Sequence, residues 1–247
     1  MGCIRLLLAL AVIVEHCEGK GLMGLPFFGG TAYQAVFCFF IISGFYMAMV
    51  LKTKYQNDAL AFYRARILRL YPVYALSFGL FFGLQSAARI AGKPMGVWHA
   101  IENVGYAFSD YVWAIFSNLT GLGSDSLMLW SALSDKRLAE LLILPVVWSL
   151  SVEVAFYLLA PFILLKSNRF IVCLFLLAFS ARLLVSWLHQ FAWNAWNYYF
   201  FPTNLCFFLA GALAWNVSSS YDFKKKPAEV WLAWMILAFS VVFGRLS

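Results

Sequence analysis

Several windows of this chain run for about 18 residues with almost no charge, long enough to cross a bilayer as α-helices. Lipid offers backbone N–H and C=O groups no partners, so only helices and closed barrels can span it. The apolar runs are continuous rather than alternating, which excludes the period of two that a barrel needs. Composition agrees. The chain is 64% hydrophobic and 12% charged, with a mean hydropathy of +0.81, whereas soluble domains sit nearer 45–50% apolar and about 25% charged. The expected fold is all-α: a polytopic membrane helix bundle, one membrane-embedded domain over residues 1–247.

Taken in order, the first helix is Arg5–His16, followed by a glycine-rich turn and a second apolar run from Thr31 to Leu51. A basic segment from Phe62 leads to Pro72, which is well placed to open a third span from Val73 to Ala88. A clear span resumes at Trp148, and apolar runs follow at Phe170–Leu188, at Tyr198–Trp215 and at Val230–Leu246. The expectation is six clear transmembrane helices plus one ambiguous region, Arg89–Val147, which reads equally as short crossings or as a re-entrant segment. No small-x-small cleavage site follows the first apolar run, so it is kept as a mature helix rather than a signal peptide.

The net charge of +7 is a matter of topology, not a nucleic-acid footprint. Arg5, Lys52, Lys54, Arg64, Arg66, Arg69, Lys166, Arg169 and Lys224–Lys226 fall on one side of the spans. Only Lys20, Arg89, Lys93, Lys136 and Arg137 fall on the other. Short cytoplasmic loops carry the excess of Lys and Arg, which predicts an inside N-terminus. The five cysteines show no paired spacing and lie mostly in apolar runs, where they act as small hydrophobes.

Four groups of residues carry candidate chemistry. Eleven residues of helix rotate about 1100°, so Arg5 and His16 point from one face, roughly 16 Å apart along the axis. Each is an anchor or interfacial residue on the bland reading and a functional ionisable group on the other. Ser43-Gly44-Phe45 sits inside the second span, where small residues admit a close neighbour, and helix packing accounts for Gly44. Arg66 and Arg69 are i,i+3 neighbours whose forked guanidiniums suit a phosphate, although the positive-inside rule alone accounts for them too. In Trp148-Ser-Leu-Ser-Val-Glu153, Ser149, Glu153 and Tyr157 form one polar stripe. A carboxylate there needs a partner or a wet cavity.

Arg5-x10-His16, Phe40-x2-Ser43-Gly44-Phe45, Arg66-x2-Arg69 with Pro72, and Trp148-Ser-Leu-Ser-Val-Glu153-x2-Phe156-Tyr157 occur in the order that resembles the acyltransferase 3 family. These are integral membrane enzymes, many bacterial, that O-acylate carbohydrates such as lipopolysaccharide O-antigen and exopolysaccharides. The resemblance implies acyl-CoA, foremost acetyl-CoA, as co-substrate, with no bound cofactor and no metal. It implies His16 and Glu153 as catalytic residues, His16 as general base or covalent relay. Arg5, Arg66 and Arg69 would bind the donor, while Ser43, Gly44, Phe45, Trp148 and Tyr157 form the cavity and packing motif. The implied partners are a carbohydrate acceptor and the lipid bilayer, in a bacterial inner membrane. Members of the family have about ten helices, so this chain is expected to be short, without the last ones. The alternative is a glycan exporter, because intramembrane charges also line permeation paths. No inverted repeat or pair of broken helices supports it.

Overall fold

The computed structural model describes residues 2–18, 32–56 and 58–220, and the side chains of 2–4, 15–18, 32 and 220 lie outside that description. Among the described residues the secondary structure is entirely helical. The helices are α1 (Gly2–Glu18), α2 (Ala32–Thr53), α3 (Ala59–Ile90), α4 (Val97–Asn103), α5 (Phe108–Thr120), α6 (Ser124–Leu133), α7 (Trp148–Leu164), α8 (Asn168–Leu188), α9 (Ala195–Tyr199) and α10 (Phe201–Ser220). Two 3-10 turns, Leu138–Leu141 and Pro145–Val147, precede α7.

Among the described residues, four segments are long and apolar enough to cross a membrane: Tyr33–Thr53, Ala59–Ile90, Pro145–Leu164 and Asn168–Leu188. They account for four of the six expected. In α1 the described side chains form the apolar stretch Arg5–Val14. In α10, Thr203, Asn204, Asn216 and the closing serines dilute a helix of sufficient length. The run Val230–Leu246 lies outside the described residues. The exposed faces of the spans are themselves apolar. Only 6% of the most hydropathic window of α3 is buried, and Leu60, Ile67, Leu68, Val73, Leu76 and Leu80 are all exposed along it. Such a surface is too large and continuous for water and suits hydrocarbon.

Pro72 does not open a span. It lies inside α3, a single helix of 32 residues that takes in the basic segment as well. A proline in mid-helix removes one N–H and frees one carbonyl. Membrane helices tolerate this where neighbours and local adjustments satisfy the freed group. The uncertain stretch also resolves. α4, α5 and α6 are 7, 13 and 10 residues long, and at about 1.5 Å per residue none alone reaches across about 30 Å of hydrocarbon.

The chain divides into two compact units. The first holds Met1–Gln56, Ala160–Asn194 and Pro202–Ser247; the second holds Asn57–Leu159 and Ala195–Phe201. In the first, α1 packs on α2, and the Arg5 guanidinium lies 5.2 Å from the centroid of the Tyr46 ring. Arg5, near the start of α1, thus rests on α2 at Tyr46. α2 also packs on α10 through stacked rings, Phe37 on Phe207 at 4.5 Å and Phe40 on Phe208 at 4.7 Å. At the far end of that seam Lys52 Nζ donates to Asn216 Oδ1 at 2.7 Å, and Asn216 Nδ2 donates to Asn168 Oδ1 at 2.9 Å. This polar layer satisfies a lysine that would otherwise be costly to hold beside apolar helices.

In the second unit, Ala114, Leu127, Leu138, Leu141 and Leu142 make a local core beneath the short helices. Asn118 fixes its edge: the side chain donates to Leu141 O at 2.8 Å and accepts from Ile143 N at 2.9 Å. Tyr74 of α3 donates to Asn118 O at 2.6 Å. One amide therefore ties α5 to the turn before α7 and, through its backbone carbonyl, to α3.

Candidate active site

A groove opens in the second unit between α3 and α7. Tyr63, Arg66, Ile67, Leu70, Tyr71 and Tyr74 recur at helical spacing along one face of α3. Leu150, Val154, Tyr157 and Leu158 do the same on α7, and Thr120 of α5 completes the lining of about 240 Å³. The walls are apolar or tyrosine except for Arg66 and Thr120. Its guanidinium lies 5.5 Å from the Phe62 ring centroid, and its Nε is buried without a hydrogen-bond partner. An unmet buried donor costs about 1–3 kcal/mol, and more when the group is charged. A ligand oxygen seated beside Arg66 would remove that cost. Arg69, three residues on, is exposed and takes no part in the lining.

Glu153 meets this groove through Tyr157, whose hydroxyl donates to Glu153 Oε1. Tyr157 is buried, lines the groove, and sets its ring edge-on to Phe62 at 6.4 Å. Tyr63 closes the same corner by donating to Leu158 O at 2.8 Å. Two members of the expected polar stripe are therefore joined. The third is not, because Ser149 turns back to donate to Val146 O at 3.3 Å. Trp148 is buried, with Tyr198 and Tyr199 of α9 at 4.5 and 5.0 Å, so it anchors α9 to the start of α7.

Ser151, inside the same motif, makes a connection that sequence reasoning missed. Its hydroxyl accepts from Gly123 N at 2.8 Å and donates to Asp125 Oδ1 at 2.6 Å. Burial pushes the Asp125 carboxyl up from its ordinary value, and the hydrogen bond from Ser151 pulls part of the way back. The only signal in the sequence was the second serine of Trp-Ser-Leu-Ser, which the 3.6-residue periodicity does not align with Glu153.

The first unit holds the remaining expected residues. Arg5 lies against Tyr46, and its Nε, like that of Arg66, is buried without a hydrogen-bond partner. Ser43 is buried, Gly44 lies in the seam between α2 and α10, and Phe45 packs edge-on to Trp215 at 5.5 Å. His16 falls within α1, and its side chain is outside the described residues. A residue not singled out for function is Arg182 of α8. It is 7% exposed, with its guanidinium carbon 4.7 Å from the ring centroids of both Phe37 and Phe207. Its signal was present, since an ionisable group inside an apolar span is a functional candidate by default. No group of three His, Cys, Asp or Glu side chains among the described residues is placed to hold a metal ion.

Neither a curated protein nor a solved structure matches the chain. The sequence profile of acyltransferase 3, described as an acyltransferase domain, matches residues 1–244, nearly the whole chain. The protein, with its apolar spans and motif residues in that order, belongs to the acyltransferase 3 family and is a multi-pass membrane acyltransferase.

Proposed function

We propose that this protein moves an acyl group, acetyl in the simplest case, from acyl-CoA to a hydroxyl of a cell-envelope or exported carbohydrate. The observation that carries the reading is the groove beside Arg66: a buried, unmet guanidinium N–H in an apolar channel, with Glu153 reached through Tyr157. An acyl-CoA carries phosphates for a guanidinium and a flexible pantetheine arm for an apolar channel. Arg66, Arg69 and Arg5 hold the donor. His16 takes the proton from the attacking hydroxyl, and Glu153 is the second catalytic residue.

The positive-inside asymmetry supports a cytoplasmic N-terminus in a bacterial inner membrane, with the donor entering from the cytoplasm and the glycan from the outer side. The test is transfer of radiolabelled acetyl from acetyl-CoA to cell-envelope glycans, with wild type and His16→Ala compared at matched membrane levels. Labelling lost in the variant supports the reading. Equal labelling removes His16 from the mechanism, and no labelling from the wild type rejects acetyl transfer from CoA.

A further inference from the structure

A second cavity opens in the second unit, at the other end of α3 from the groove beside Arg66. Gln85 lines the cavity and Arg66 the groove. At about 1.5 Å per residue the two lie about 28 Å apart along the helix. Residues 70–88 carry no charge, so the openings are separated by close to the thickness of a hydrocarbon core, about 30 Å. The cavity holds about 430 Å³, within the range of about 300–1,000 Å³ typical of small-molecule sites.

Its walls come from α3, α4, α6 and the turns before α7. Gln85 ties them together: its Oε1 accepts from Val97 N at 3.0 Å, and its Nε2 donates to Ile143 O at 3.3 Å. Gly96 lets α4 start this close, with a φ of +56° and no room for a Cβ against the Gln85 side chain. α4 then brings His99 to the cavity, and the turn Leu138–Leu141 brings Glu140. Met128, Leu142, Ile143 and Pro145 form the apolar part.

These groups select a ligand class. Glu140 is already charge-balanced, with Oε1 2.7 Å from Arg137 Nη2, so a cation gains little there, while an anion is repelled. A wholly apolar guest would strip water from Glu140 and His99 without replacing its hydrogen bonds. The His99 imidazole is exposed and has no partner among the described residues. A neutral polyol suits the whole lining, with hydroxyls for the carboxylate and imidazole and C–H faces for the apolar wall. We propose that this cavity binds a sugar unit of the acceptor, with His99 and Glu140 as its hydrogen-bonding residues. The inference rests on the reading of the protein as a carbohydrate acyltransferase and adds where the glycan is anchored. His99 and Glu140 hold the glycan and take no part in the chemistry.

The experiment uses the full chain in detergent, radiolabelled acetyl-CoA, and the water-soluble glycan fraction of the cell envelope as the acceptor probe. KM is measured separately for glycan and for acetyl-CoA in wild type, His99→Ala, Glu140→Ala and Glu102→Ala. Glu102 is the control: it lies on α4 outside the lining, 2.7 Å from Arg89. The expected result is a glycan KM raised about 2- to 10-fold in His99→Ala and in Glu140→Ala, the range for losing one hydrogen bond. The acetyl-CoA KM, kcat and melting temperature stay near wild type, and Glu102→Ala behaves as wild type. An unchanged glycan KM in both cavity variants overturns the inference and leaves acyl transfer standing. So does a rise matched in the acetyl-CoA KM or shared by Glu102→Ala. If the wild type transfers no label, the underlying reading fails, and binding of the glycan fraction alone decides the site. Binding by wild type that His99→Ala weakens supports it, and no binding by wild type overturns it.

Discussion

Gly44 of α2 and Gly211 of α10 each lie under the other helix's backbone. A Cβ on Gly44 would run into the Phe208 carbonyl, and a Cβ on Gly211 into the Ile41 carbonyl. The contact is reciprocal and backbone-deep, so no side chain can give way to relieve it. Without a hydrophobic drive between helices in lipid, such close approach is a main source of association.

Gly44→Ala or Gly211→Ala should therefore destabilise the protein by about 1–3 kcal/mol, the usual cost of overpacking. Gly79 and Gly83 of α3 are the controls, since a Cβ there meets nothing within 4 Å. Replacing either by Ala should be neutral or stabilising by up to about 1 kcal/mol, because mid-helix glycine carries an entropic penalty. Thermal unfolding in detergent reads both. Equal effects at all four positions would mean that the seam does not hold α2 to α10.

Much of this was legible beforehand, and the exceptions have physical causes. The spans at Tyr33–Thr53 and Asn168–Leu188 were plain because uninterrupted hydropathy is itself the membrane signal. Pro72 misled because proline marks a helix start in water, whereas in lipid a helix can run through it. The α4–α6 region was opaque because its order depends on long-range bonds, such as those of Asn118 to Leu141 and Ile143, that leave no periodic trace. Among the site residues, Arg66 and Glu153 stood out by charge alone. The bond between Glu153 and Tyr157 followed from helical spacing, i to i+4. The layer shared by Arg182 and Phe37 could not be read, because nothing local sets the register between α2, α8 and α10.

Tyr157→Phe isolates that link. The ring should keep its contact with Phe62 while Glu153 loses a donor. A hydrogen bond to a charged group contributes about 1.5–3 kcal/mol, so acyl transfer should fall about 10- to 100-fold with little change in thermal stability. Tyr157→Phe combined with Glu153→Gln should cost scarcely more than Glu153→Gln alone. Additive losses would show that the two residues act independently.

Asp125 should make stability depend on pH with a definite sign. Burial raises its carboxyl above the ordinary aspartate range, so the folded state favours the protonated form. That contribution is fully present below the unfolded carboxylate pKa and is lost as pH rises through the higher folded one. Asp125→Asn keeps an oxygen for the Ser151 hydroxyl and cannot ionise. Melting temperature measured from pH 4 upward should decline less in Asp125→Asn than in wild type. Ser151→Ala should do the opposite, removing the bond that offsets burial and steepening the decline. Parallel curves for all three would place Asp125 outside the pH response.

Arg66 and Arg69 should separate, although the sequence presents them as a pair. Arg66 lines the groove with a buried, unmet Nε, while Arg69 is exposed and outside the lining. A phosphate contact by the first is made in a poorly hydrated site, and one by the second is screened by water and salt. Arg66→Ala should therefore raise the KM for acetyl-CoA about 10- to 100-fold, as expected for losing a charge-assisted bond of about 1.5–3 kcal/mol. Arg66→Lys should recover only part of this, because an ammonium lacks the planar fork. Arg69→Ala should cost less, and its effect should fade as ionic strength rises while that of Arg66→Ala persists. Donor KM measured at low and high salt for the three variants decides the matter. An Arg66→Ala defect that disappears with salt would move Arg66 to the surface role that the positive-inside rule alone assigns it.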